Sequence, residues 1–60
     1  MTEHQIHRVA DAIVQELHRQ SKMHSEAADA AYVWSPEDER FVGIDGVVNV
    51  VELVRAALRS

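Results

Sequence analysis

Sixty residues carrying ten acidic against six basic side chains, a formal charge of −4 and no cysteine exclude a disulfide framework and a thiolate metal site. The same balance argues against nucleic-acid binding, which needs Lys and Arg clustered on one face to neutralise phosphates. No apolar run approaches the roughly 20 residues that span a bilayer, and the start Met1-Thr2-Glu3-His4 lacks the regions of a signal peptide, so one small cytoplasmic domain over residues 1–60 is expected.

The first element predicted is a helix over about residues 3–31. Ile6, Val9, Ala10, Ile13, Val14 and Leu17 fill one stripe at helical spacing, and the phase continues through Gln20, His24, Ala27, Ala28 and Ala31. Thr2 with Gln5 three residues on has the form of a capping box. The stretch Ser21–Ser25 is the weak point of this helix. The Ile6 to Leu17 half, with its three-four spacing, is read as a dimerisation seam. His24 falls in line with Ile13 and Leu17, where a histidine is a satisfied core or interface residue. Buried there, it would also act as a pH switch.

Residues 31–44 are read as a β-hairpin, because aromatic and β-branched side chains flank Pro36-Glu37-Asp38-Glu39. A four-residue loop would set Trp34 opposite Phe41 and Val33 opposite Val42. The rival is a short middle helix with Ser35 as N-cap and Pro36 as its first residue, ending at Gly43, which would make the chain all-α. All three aromatics, Tyr32, Trp34 and Phe41, fall in this segment and are expected to form a small core with Val47, Val51 and Leu58. Their alternative role is an exposed hot-spot patch.

The last element is a helix over about 46–59 with Asp45 as its N-cap. Val47, Val50, Val51, Leu53, Val54, Ala57 and Leu58 share one arc of roughly 160°, and Arg55 and Arg59 stand near the C-terminus. A chain this short buries only about 60% of the surface that its unfolded form exposes. Two helices of this kind therefore carry more apolar surface than a monomer hides, and a homodimer is expected. Its interface residues are Ile6, Val9, Ile13, Leu17, His24, Val50, Leu53 and Val54.

Chemistry-bearing constellations are sparse. His4, His7 and Asp11 are spaced three and four apart on the open face of the first helix, with His18 further along. They are read as a solvated face, and zinc binding is the competing view. Glu37-Asp38-Glu39 is read as a solvated loop tip that discourages edge-to-edge stacking. No Gly-x-Ser-x-Gly elbow, phosphate loop or dinucleotide fingerprint is present, so neither an enzyme nor a cofactor protein is expected. The fold expected is α+β, in the order long helix, hairpin and shorter helix, and the surplus apolar surface of its helices points to a small non-enzymatic protein-protein interaction module. The alternative is a regulator or antitoxin-like protein acting on nucleic acid or on a toxin.

The run Arg40-Phe41-Val42-Gly43-Ile44-Asp45-Gly46 and the helix that follows it to Leu58 resemble the ends of short accessory proteins encoded by bacteriophages of actinobacteria. In those, an Ile-Asp-Gly step leads from a strand-like segment into a Val, Leu and Ala helix. Arg8-Val9-Ala10-Asp11-Ala12-Ile13 is similar in flavour. The resemblance covers about a third of the chain. It implies a small protein made in the infected host cytoplasm that binds and redirects a host protein, and it carries over no functional residues.

Overall fold

In the computed structural model, which describes residues 1–60, Thr2 opens the first helix. Its hydroxyl accepts from the Gln5 amide at 3.1 Å while the Gln5 side chain accepts from the Thr2 amide at 2.8 Å, so two otherwise unpaired donors are satisfied reciprocally. This helix, α1, runs Glu3–Gln20 and stops well short of residue 31. Ser21 takes an extended conformation and its hydroxyl donates to the His18 carbonyl at 2.7 Å. The chain is then held from a distance: Ser21 bridges Ala31, and the Lys22 amide donates to the Ala31 carbonyl at 2.8 Å. Turns occupy the segment between, and His24 is exposed there. The alanines at 27, 28 and 31 keep helical phase in sequence but offer too little side chain to hold a helix by packing.

Strands β1 (Tyr32–Trp34) and β2 (Gly43–Asp45) form an antiparallel pair, so the chain is α+β. Residues 35–42 form a turn in which the Phe41 amide donates to the Asp38 carbonyl at 3.1 Å. They are not a middle helix. The register is Tyr32 with Asp45, Val33 with Ile44 and Trp34 with Gly43. That lies two residues from the expected Trp34–Phe41 pairing, a shift that keeps every side chain on its original face. The cause is steric. The Trp34 indole occupies the space where a Gly43 side chain would begin, so the ring lies over the one strand residue that leaves it room.

Helix α2 spans Val50–Arg59 and starts at Asn49, whose side chain accepts from the Glu52 amide at 3.1 Å. Asp45 is a strand residue, not the cap. Gly46 adopts φ 128°, and a Cβ there would stand 3.0 Å from the Ala31 Cα. A helix beginning at residue 46 is therefore incompatible with the way the chain passes Ala31. Val47 instead bridges Ala30.

The helices lie antiparallel. Gln20 meets Asn49 at one end, and Val9 shares a depression with Ala57 and Leu58 at the other. The apolar core is Leu17, Ala31, Val33 and Ala56, closed by Glu16 and Ser21. Tyr32, Trp34, Phe41, Val47, Val51 and Leu58 are all exposed, so the expected aromatic core does not form. The molecule is a thin slab of 38 × 27 × 14 Å. Its radius of gyration, 11.8 Å, exceeds the roughly 10.4 Å usual for 60 residues.

Candidate interaction surface

Helix α2 turns its less hydrophobic side inward. Glu52, Leu53, Ala56 and Ala57 are buried or half-buried, while Val50, Val51, Val54 and Leu58 are 64, 58, 52 and 81% exposed. The four exposed residues follow one another at spacings of one, three and four, which puts them on one face. Alanines at 56 and 57 let α2 approach α1 closely, and Gln20 and Asn49 fasten the contact. The Gln20 carboxamide donates to the Asn49 carbonyl at 3.2 Å and accepts from the Asn49 amide at 2.7 Å. It thus pairs with both main-chain groups of the residue that caps α2.

Behind this clamp lies a buried carboxylate. Glu16 accepts from Arg19 Nε at 2.7 Å, from Arg19 Nη2 at 2.6 Å and from Gln20 Nε2 at 2.9 Å. The Arg19 bonds hold its carboxyl down at about 2, against the opposing effect of burial, with smaller help from Gln20 and the Arg59 charge. Such bidentate, charge-assisted geometry fixes direction as well as energy. Glu16, Arg19 and Gln20 are spaced three and four apart in sequence, which is the local signal for this network. Its burial is tertiary in origin, and sequence reading assigned Glu16 no role.

The residues expected at an interface divide into two groups. Leu17 is buried within the chain, and Val9, Ile13 and Leu53 are half-buried, so the α1 seam is largely consumed inside the molecule. Ile6, His24, Val50 and Val54 are exposed. Since His24 sits on a turn in water and not on a dry face, it offers no buried imidazole for a pH switch. Beyond α2, the exposed large apolar side chains include Tyr32, Trp34, Phe41 and Ile44 of the hairpin. Arg40 stacks over the Phe41 ring at 5.6 Å while forming a two-bonded pair with Asp38 at 3.1 and 2.7 Å.

The accessible surface is 4851 Å². A folded monomer of 6.8 kDa exposes about 3950 Å² by the usual size scaling. The difference is about 900 Å², close to the roughly 800 Å² that each partner gives up in a standard interface. Scattered apolar residues are normal on a surface; here four of them, Val50, Val51, Val54 and Leu58, lie together on one face of a helix.

No group of three or more His, Cys, Asp and Glu side chains comes together as a metal-binding cluster. His7 approaches Glu3 at 3.9 Å on an open helix face. The depressions on the surface are open grooves, one of them between the helices beside Glu16, Arg19 and Arg59. No helix is long and apolar enough to cross a membrane. No family model, curated protein or solved structure matches this chain.

Proposed function

We propose that the chain is a small non-enzymatic protein-protein interaction module that works as a homodimer. The observation that carries this reading is the Val50, Val51, Val54 and Leu58 face of α2, four apolar side chains that are all more than half exposed. Transfer of such surface out of water contributes about 25 cal/mol per Å², and only another molecule can supply the cover. The exposed hairpin aromatics Tyr32, Trp34 and Phe41 add a second apolar surface, of the residue types that dominate binding energy when desolvated. As the resemblance to phage accessory proteins implies, the module acts in the cytoplasm of an infected host and binds or inhibits a host protein there.

Light scattering on a sizing column at about 10 µM, a concentration at which a micromolar dimer populates, tests the self-association. Twice the mass of the single chain is expected. Val54→Asp, a charge placed at an exposed position of α2, should return the mass to that of one chain while the far-ultraviolet dichroism keeps its helical shape. A parent protein of single-chain mass at every concentration would remove the homodimer from the reading.

A further inference from the structure

The hairpin presents a flat aromatic shelf on the side opposite its buried residue. Val33 is buried, and side chains alternate along a strand, so Tyr32 and Trp34 share the outward face. The register places Asp45 opposite Tyr32 and Gly43 opposite Trp34 on that same face. A Cβ at Gly43 would run into Cε2 and Cδ2, the two carbons common to both rings of the indole. The strand therefore lies under the middle of the ring and not at its rim. One face of the indole rests on the backbone, and the 47% of Trp34 that is exposed lies on the other side, open to solvent.

Such a ring face is the negative end of a quadrupole and attracts cations. Asp45 adds a formal charge beside it. Its side chain is exposed, and the ion pairs of the chain, His7 with Glu3, Arg19 with Glu16, Arg40 with Asp38 and Arg55 with Glu52, leave it out. It stands directly across from Tyr32 and diagonally from Trp34, within reach of a long side chain laid over both rings. Residues 32–45 hold four acids, Glu37, Asp38, Glu39 and Asp45, against the single base Arg40, so the field over the shelf favours a cation. The loop beside it shows the same chemistry completed from within: Arg40 stacks over Phe41 at 5.6 Å and is held by Asp38 through two bonds. At the Trp34 shelf the aromatic face and the carboxylate are both in place, and no Lys or Arg of the chain is paired with either.

We infer that the Tyr32, Trp34 and Asp45 face binds an arginine side chain in a basic segment of a partner protein. The guanidinium plane stacks on the open indole face while Asp45 accepts from its N–H groups, an arrangement that a planar fork fits better than a lysine ammonium. This rests on the interaction-module reading above and supplies the chemistry of the partner; it uses neither the α2 face nor the homodimer.

Trp34 is the only tryptophan, so its fluorescence reports the contact directly. The full chain is titrated with a capped peptide of alternating glycine and arginine, and with the same peptide carrying citrulline, the neutral isostere. The buffer holds about 0.15 M salt, where exposed charges beyond about 8 Å are screened. The arginine peptide should change the emission saturably and bind at least about threefold more tightly than the citrulline peptide, the scale of an exposed cation–π contact. Asp45→Asn should weaken the arginine peptide about threefold, the scale of one exposed ion pair. Glu37→Gln removes an equal charge from the loop tip and should change it by less than about 1.5-fold. Citrulline binding as tight as arginine would overturn the inference without any variant, because the face would then read shape and not charge. Equal weakening by D45N and E37Q would overturn it too, since net charge alone would account for the binding. Sedimentation of the same samples keeps the two readings apart. A dimer that ignores the arginine peptide overturns this inference alone, and a single chain that binds it overturns the homodimer alone.

Discussion

Glu16 is a carboxylate placed where its environment strongly prefers it charged. Its side chain is 4% exposed, yet three bonds from Arg19 and Gln20 surround it, and its pKa lies at about 2 against the ordinary 4.5. A group whose folded value is depressed contributes stability that is complete above the unfolded value and is lost as pH falls toward the folded one. The window is therefore from about 4.5 down to about 2. Arg19 is 64% exposed, so water screens part of the pair and the contribution is modest. Glu16→Gln should lower stability at pH 7 by about 1 kcal/mol, the usual worth of a charge-assisted bond discounted for exposure. It should also flatten the acid limb of stability against pH in that window. Urea unfolding followed at a series of pH values checks both. An acid limb as steep in the variant as in the parent would move the origin of the pH dependence elsewhere.

At the level of elements, the hairpin register depends on one residue without a side chain. Gly43 faces Trp34 across the strands, and the indole fills the space above it. Gly43→Ala forces the ring aside, and overpacking of this kind costs about 1–3 kcal/mol. Because Trp34 is the only tryptophan, its fluorescence should shift to the red as the ring moves into water, and the melting temperature should fall with it. An unchanged spectrum would mean that the indole does not depend on Gly43 for its position.

The same hairpin shows what sequence can and cannot fix. Its existence was legible, since β-branched and aromatic residues flank a proline and three acids. Its register was not, because the open space over Gly43 outweighs the shortest loop. The start of α1 was legible from Thr2 and Gln5, a pairing complete within four residues. Its end was hidden, because the Ser21 to Ala31 bridge joins residues ten apart and alanine periodicity continues across the break. The start of α2 was misplaced for a related reason: Asp45 has capping chemistry, but Gly46 is committed to a close passage beside Ala31, so Asn49 caps instead. The apolar stripe of α2 was legible from its period. Which side would face α1 was not, since the inward face is chosen by small alanines and by the Gln20 clamp on Asn49, features that no hydrophobic pattern records.

For the whole molecule, the balance is set by how little lies inside. Four apolar residues are buried, and a 60-residue chain with a core of that size has almost no surplus after ordering its backbone. The slab is only 14 Å across its thinnest dimension, too thin for a second layer over α2. If the second layer is another copy, folding and association are coupled, and the melting temperature must rise with protein concentration. With an unfolding entropy of about 2.1 cal/mol/K per residue, each tenfold increase should raise the melting temperature of the dimer by about 5 °C. Dichroism melts over a hundredfold range of concentration measure this directly. A midpoint that stays constant across the range would mean that the thin monomer is stable by itself, and the apolar face of α2 would then need no second copy to keep the chain folded.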